Sequence, residues 1–412
     1  MATETVELRA LRADEWDAWF DMVDVAFGGV PETPEQRAAW RDVTDFGRMF
    51  GAWDGAGWVG TAGAFSFGLT VPGGAEVAAA GVTAVSVLPT HRRRGVLRSM
   101  MRHQLDEVRA RGEALAVLTA SEPAIYGRFG YGAATLEMRL DVDTVRLAAP
   151  ALPGVDGVRL RLVDPVAGLA ECEQVYGRLV PTRPGMLARR PHWDRFMLVD
   201  PPSERNGAGE LQCVLAEVDG EVLGYARYAV KPESNAAGPC GTVLVRDVQA
   251  LDPVVYAALW RYLFGIDLTS AVSVRSRPVD DALPHLVADM RRCGIGLRES
   301  LFVRPVEVGT ALAARTYRAP VDVVLEVSDA FCPWNEGRWR LSGDEKGASC
   351  TRTTDRAELA LSVRELGSAY LGGFTLSALA AAGRVRELRP GALAAASGAF
   401  GSDVAPWLSH GF

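Results

Sequence analysis

The stretch from Val82 to Arg98 gathers groups suited to holding a phosphorylated ligand. Its β-branched, alternating first half predicts a strand over 80–88, and an amphipathic pattern predicts a helix over 94–111. The first N–H groups of such a helix lack intrahelical acceptors and carry partial positive charge. Arg92, Arg93, Arg94 and Arg98 add fixed charge, and Gly95 lets a ligand approach the backbone. Together they read as a pyrophosphate site. Neither the G-x-x-x-x-G-K loop nor the three-glycine dinucleotide fingerprint is present. Taken alone, the turn also suits a solvated surface.

Two further places carry candidate chemistry. Tyr126 lies in the run from Ser121 to Gly132, after an apolar strand expected over 114–120. A phenol has an ordinary pKa of about 10, stays protonated at neutral pH and can donate a proton. Tyr126, Phe129 and Tyr131 equally suit a core. The chain ends on Trp407, Leu408 and Phe412, whereas termini are usually polar and frayed, so the tail is expected to dock. His91 is assigned to the phosphate turn and His103 to mid-helix. The six cysteines, Cys172, Cys213, Cys240, Cys293, Cys332 and Cys350, form no C-x-x-C pair and read as reduced thiols.

The elements that would position these groups follow in order. Helices are expected over 14–27 and 33–40, then a hairpin over 49–67 around Asp54-Gly55. The strand of 80–88, the helix of 94–111, the strand of 114–120 and a short helix over 122–129 come next, and 133–140 closes the domain as a strand. Pro150, Pro153 and Gly154 mark a linker over 149–154. An Asp-Gly hairpin recurs at Glu217–Ala226, followed by a β-rich run over 243–248 and a helix over 253–264, which reads as a second copy of one fold. That copy lacks the Arg-x-x-Gly turn and carries Asp247 and Asp252 where phosphate would sit, so one cofactor site per chain is expected. Strands over 321–327, 338–341, 348–352 and 357–363, then Ala-rich helices over 375–381 and 390–397, suggest a separate α+β domain.

The 412 residues suffice for two or three domains. Lys and Arg number 44 against 51 Asp and Glu, which argues against nucleic acid and anionic membrane as partners. No apolar leader is visible over 1–12 and no run of about 18 apolar residues occurs, so a cytoplasmic protein is expected.

Ser86–Gly95 and Ala124–Gly132 together resemble the Eis ("enhanced intracellular survival") family of bacterial GNAT N-acetyltransferases. The turn fits the Arg/Gln-x-x-Gly-x-Gly/Ala pattern of GNAT proteins, with Leu97 in place of the last small residue. The resemblance covers the whole chain and implies an α+β protein: tandem GNAT folds, each a mixed, splayed sheet with helices, then a sterol-carrier-protein-like α+β domain. The implied limits are 1–148 for a catalytic GNAT domain, 155–300 for a degenerate one, and 306–412 for the third with a catalytic tail. Acetyl-CoA is the implied co-substrate, with no metal. The implied reaction is direct acetylation of primary amines, aminoglycosides at several positions among them, hence antibiotic resistance. Val85, Ser86 and Val87 would meet the pantetheine arm through their backbone. Arg93, Arg94, Gly95, Val96, Leu97 and Arg98 would hold the pyrophosphate, with Ser121 and Glu122 beside the cofactor.

Tyr126 matches the family's proton donor and the C-terminal carboxylate of Phe412 its proton acceptor. An α-carboxyl, with a pKa of about 3.3–3.7, is weakly basic unless desolvated. Gly411 offers no acidic side chain beside it. Asp21, Asp24, Glu32 and Glu35 could line an acidic acceptor pocket or form a solvated helix face. The family forms hexamers, which implies a homohexamer with a small-molecule amine as partner. Two other readings remain: a lipid- or protein-binding module with a vestigial transferase, and a protein lysine acetyltransferase.

Overall fold

The computed structural model describes residues 6–147, 150 and 152–412. Ala149 and Ala151 of the expected linker, and residues 1–5 of the expected leader-free start, lie outside the described residues. The chain forms two compact units.

The first unit takes in the described residues up to Thr135, with Pro184–Ala188 and Ser300–Phe412. Strands β1 (Glu7–Ala10), β2 (Phe50–Trp53), β3 (Trp58–Thr70), β4 (Glu76–Val87) and β5 (Leu115–Thr119) are successive neighbours in one sheet. They run antiparallel as far as β4, and β4 pairs with β5 in parallel. Helices α1 (Trp16–Ala26) and α2 (Pro34–Val43) join β1 to β2, and α3 (Val96–Ala110) crosses from β4 to β5. Local chemistry sets these boundaries. Thr33 Oγ1 accepts from Gln36 N–H while Gln36 Oε1 accepts from Thr33 N–H, and Pro34 opens α2. Asp54 Oδ1 accepts from the N–H groups of Ala56 and Gly57 to turn β2 into β3. One stripe of α3, with Val96, Met100, Met101, Leu105 and Val108, is buried.

The expected closing strand over 133–140 is corrected. The next neighbour of β5 is Leu301–Pro305, then β6 (Gly132–Ala133), while β7 (Leu136–Asp143) belongs to the sheet of the second unit. Leu301–Pro305 is buried on both faces, as a central strand requires. Strand β7 buries only alternate residues, Met138, Leu140 and Val142, in the second unit's core. Both segments look like strands locally, and their partners are set by long-range pairing.

The second unit is a seven-stranded sheet ordered Gly296–Glu299, β7, Thr269–Arg277, Gly241–Ala250, Glu221–Lys231, Gln212–Val218 and Arg159–Val163. It repeats the antiparallel hairpin and the antiparallel-to-parallel switch of the first sheet. The third segment, within the first unit, is a five-stranded sheet ordered Gly347–Arg352, Gly337–Asp344, Val321–Ser328, Leu359–Ser362 and Val385–Glu387, with helices Val363–Ala369, Leu376–Ala381 and Ala392–Phe400. The strand expected over 357–363 stops at Ser362, whose hydroxyl accepts from Arg364 N–H and starts a helix. Mixed sheets with helices make this an α+β protein. Among the described residues, no helix is long and apolar enough to cross a membrane.

Candidate active site

Strands β4 and β5 pair only at Ala79–Leu115, Ala80–Ala116 and Gly81–Val117. Beyond Gly81, β4 runs on to Val87 and β5 to Thr119 without further rungs between them, so a cleft opens where the strands part. Across the cleft's floor β4 is bulged against β3, with Ala84 at φ 49°. Thr61 Oγ1 holds this bulge, donating to the Ala84 carbonyl at 2.6 Å and lying 2.6 Å from Ser86 Oγ. Ser86 Oγ also donates to Met22 Sδ at 3.4 Å. The Ser86 side chain is therefore committed inward. What Val85, Ser86 and Val87 present to the cleft is backbone.

The arginine turn follows β4. Arg93 and Gly95 have φ of 63° and 87°, which lifts the chain into α3. The first bond of α3 to Gly95 O comes from Ser99 N–H, so the N–H groups of Val96, Leu97 and Arg98 precede it. Gly95 supplies no capping side chain, the first turn has no acidic residue, and a Cβ built at Gly95 would meet open space. Arg92, Arg93, Arg94 and Arg98 are exposed, and among the described residues the first three make no ion pair. Uncompensated cations over an uncapped, sterically open helix start fit a pyrophosphate. Leu97, the departure from the family pattern, turns inward against both apolar clusters flanking α3, so its bulk does not fill the phosphate position. His91 Nε2 stands 3.6 Å from Asp54 Oδ2, tying the turn to the β2–β3 hairpin. His103 is exposed and stacks edge-on with Phe50.

Tyr126 ends the short helix α4 (Pro123–Tyr126), just beyond β5, and packs in the same cluster as Val85, Leu97, Leu118 and Ala120. Burial, and secondarily the charge of Glu122, push its phenol up to about 12. Ser121 and Glu122 are exposed at the start of α4. The loop after Tyr126 is rigidly seated. The wholly buried Arg304 donates to the Phe129 carbonyl at 2.8 Å and to Asp329 at 2.8 Å. A Cβ at Gly132 would fall 2.1 Å from the Arg364 carbonyl of helix Val363–Ala369. The third segment thus holds the loop that carries Tyr126.

The tail does dock. Trp407 and Leu408 are buried, and Trp407 N–H donates to the Pro184 carbonyl at 2.9 Å. Pro184–Ala188 is itself anchored on β3, with Leu187–Ala188 pairing to Gly68 and Leu69. No sequence signal marked this anchor. The tail ends at the parting of the strands: the Phe412 ring lies edge-on to Phe67 at 5.0 Å, a Cβ at Gly81 would meet it at 3.2 Å, and Thr119 Oγ1 donates to its terminal oxygen at 3.5 Å.

On the other side of Phe412, rings continue outward: Phe67 to Phe65 at 5.9 Å, and Phe65 to Trp40 of α2 at 6.3 Å. The sequence reading singled out nearby acids instead. Asp21 and Asp24 are paired with Arg37 at 2.5 and 3.1 Å, Asp17 joins at 3.5 Å, and Glu35 is exposed. One arginine thus serves three aspartates, while Phe65 and Phe67 are buried and Trp40 is half-buried.

The second unit has filled the matching cleft. Its parallel pairing ends at Val245–Val274, and the buried Arg277 reaches across, donating to the Val248 carbonyl at 2.6 Å and to Asp281 at 2.7 Å. Asp252 caps helix Pro253–Phe264, accepting from Val254 and Val255 N–H and occupying donors a phosphate would need. Asp247, expected at the phosphate position, instead accepts from Tyr225 OH at 2.6 Å.

Comparison with known proteins agrees with this architecture. Residues 7–134 and 185–305 each match an acetyltransferase (GNAT) domain family, and residues 308–409 match a sterol carrier protein domain. An uncharacterised N-acetyltransferase of Streptomyces avermitilis is 62% identical over 99% of this chain and all of its own length. N-acetyltransferase Eis of Mycobacterium tuberculosis is 36% identical over 97% of this chain and 98% of its own. The crystal structure of Eis1 from Mycobacterium abscessus superposes with a TM-score of 0.84 at 34% identity, over 99% of this chain and all of that one. Two GNAT folds and a sterol-carrier-like segment in one chain, with such relatives along nearly its whole length, place this chain in the Eis-like N-acetyltransferases.

Proposed function

We propose that this acetyltransferase moves the acetyl group of acetyl-CoA directly to primary amines, aminoglycosides at several positions among them. The observation that carries the reading is the seat of Phe412 at the parting of β4 and β5, beside Thr119 and next to the helix bearing Tyr126. Acetyl-CoA supplies an activated thioester. The chain's own groups do the rest. The backbone of Val85, Ser86 and Val87 lines the cleft for the pantetheine arm, and Ser121 and Glu122 flank it. Arg93, Arg94 and Arg98 and the N–H groups from Gly95 to Arg98 hold the pyrophosphate. The Phe412 carboxylate accepts a proton from the amine, and Tyr126 donates one to the departing sulfur. Trp40, half-buried at the end of the ring row that runs through Phe65 from Phe67, offers a flat apolar face to a bulky acceptor. Sugar rings pack on such faces through their C–H groups, without fixing which amine is presented.

The limits 1–148, 155–300 and 306–412 are proposed as the inherited segments; the first lends β7 to the second's sheet, and Leu301–Pro305, between the second and third, closes the first's sheet. A cytoplasmic homohexamer completes the reading. The test is thiol release from acetyl-CoA with a panel of aminoglycosides, small polyamines and a lysine peptide. Turnover with an aminoglycoside is the expected result. Turnover with the peptide alone would favour a protein acetyltransferase, and no turnover with any amine would overturn the transferase assignment.

The phosphate turn gives a second expected result. Arg94→Ala should raise the KM for acetyl-CoA by about 10-fold, because a charge-assisted hydrogen bond contributes about 1.5–3 kcal/mol and an exposed one sits at the low end. The kcat should stay near wild type, and the KM should depend less steeply on salt. Steady-state kinetics at two ionic strengths check this, and an unchanged KM would remove Arg94 from the binding site.

A further inference from the structure

A buried polar cluster in the second unit is used by nothing described so far. Helix Leu169–Leu179 lays Cys172 and Tyr176 on strands Gln212–Val218 and Glu221–Lys231, which bring Cys213, Tyr225 and Arg227. The two sulfurs are 3.7 Å apart and both residues are fully buried. Among the described residues no other two cysteines are in contact.

Arg227 is 1% exposed, and none of Nε, Nη1 and Nη2 makes a hydrogen bond. A guanidinium carries five N–H donors and cannot shed its proton, so a buried one needs a negative partner. The neighbouring carboxylates are shared with other groups. Glu173 is paired with Arg189 and stands 3.9 Å from Arg227 Nη2, and Asp247 accepts from Tyr225 OH. Cys213 lies directly opposite Arg227 on the neighbouring antiparallel strand, so its sulfur adds a further group able to carry negative charge beside the guanidinium. Its thiol is held below the usual thiol range by the hydrogen bond from Cys172 and by Arg227, against burial, while Cys172 is pushed upward. Either sulfur can donate in the contact between them, and the Arg227 charge favours the proton on Cys172.

We propose that Cys213 and Cys172 form an oxidisable thiolate–thiol pair, a modification site that reacts with small peroxides and closes to a disulfide. The Cys213 thiolate attacks one peroxide oxygen. The O–O bond breaks, hydroxide leaves, and Cys213 becomes a sulfenic acid. The Cys172 sulfur then attacks the Cys213 sulfur, an S–S bond forms, and the S–O bond breaks. The Cys172 proton departs with that oxygen as water. One peroxide is reduced and two cysteines are oxidised. Because both sulfurs are buried, entry depends on local opening beneath helix Leu169–Leu179, which favours hydrogen peroxide over bulky thiol reagents.

The test treats the reduced, full-length protein with hydrogen peroxide under native conditions, quenches it in acid, and maps free thiols by alkylation and peptide mass. The expected product is a species lighter by two hydrogens, with Cys172 and Cys213 linked, restored by dithiothreitol. The pair should oxidise at least ~10-fold faster than Cys293 and Cys350, buried thiols without an arginine partner. In Cys172→Ala the sulfenic acid of Cys213 should persist and be trapped by dimedone, and in Cys213→Ala Cys172 should stay reduced. The wild-type map stands alone if either variant fails to fold. A pair that stays reduced while Cys293 or Cys350 oxidises, or oxidation of Cys172 in Cys213→Ala, would overturn the proposal.

Discussion

Tyr126→Phe should lower kcat by about 10²-fold and leave the dissociation constant of acetyl-CoA nearly unchanged. The ring, which packs with Val85, Leu97 and Leu118, is retained, so only the hydroxyl is lost. General acid catalysis contributes roughly 10²–10⁴-fold and is most efficient when the acid's pKa lies near the working pH. A phenol pushed up to about 12 by burial sits far from that optimum, which selects the low end of the range. In the proposed mechanism Tyr126 offers a proton always in place, and a hydrogen bond to a sulfur whose developing charge the same apolar surroundings penalise. The direction of the shift also fixes a pH effect. The folded state binds the phenolic proton more tightly than the unfolded chain, whose tyrosine titrates near 10. Stability from this residue is complete below about 10 and falls as pH rises toward 12. Tyr126→Phe should therefore show a shallower fall of Tm over that interval. Rapid-quench kinetics, acetyl-CoA titration and thermal scans from pH 9 to 11.5 measure the three quantities. A variant with full kcat would remove Tyr126 from proton transfer.

The parts of this protein legible in sequence are those that local chemistry dictates. Arg92 to Gly95 read as an uncapped, positive helix start because that needs no distant partner. The capping at Thr33, the Asp54 turn and the apolar stripe of α3 were visible for the same reason. The exchange of β7 and Leu301–Pro305 was not, because strand pairing is long-range and both segments satisfy a strand pattern with either partner. The inward turn of Leu97 was hidden too: the pattern asks for a small residue, but only the clusters on either side of α3 show that a large one fits. For the acids of α1 both readings, pocket lining and solvated face, stayed open in the sequence. Their spacing is readable, but their neutralisation by Arg37 depends on how α2 lies against α1. Likewise the lost turn of the second GNAT copy could be read, yet Arg277, which plugs its cleft, lies far along the chain from it.

The strongest expected loss belongs to the last residue. Removing Phe412 should reduce kcat/KM at neutral pH by about 10²–10³-fold, within the range for loss of a positioned base. Folding should suffer little, because Trp407 and Leu408 remain buried and Trp407 keeps its bond to Pro184. Loss of the ring's edge-on contact with Phe67 should cost about 1 kcal/mol. Deletion removes ring and carboxylate together, so two companions separate them. Phe412→Leu keeps the carboxylate and should retain most activity. A single glycine added after Phe412 keeps the ring, turns the carboxylate into an amide, and should be as damaging as deletion. Magnitudes explain why position matters so much. An amine near 10.4 and a carboxyl near 3.5 differ by about 7 pKa units, or about 9 kcal/mol, too much for a free carboxylate to strip an ammonium outright. A carboxylate held beside the cleft can take the proton as nitrogen loses basicity on forming its bond to carbon, when transfer runs downhill. At high pH the amine arrives already neutral and needs such help less. The deficit of the deletion should therefore shrink between pH 7 and 10, and shrink at lower pH for less basic amines. Measuring kcat/KM across pH for wild type, deletion, Phe412→Leu and the glycine extension decides it. A fully active extension would show that the ring, and not the carboxylate, is what the tail delivers.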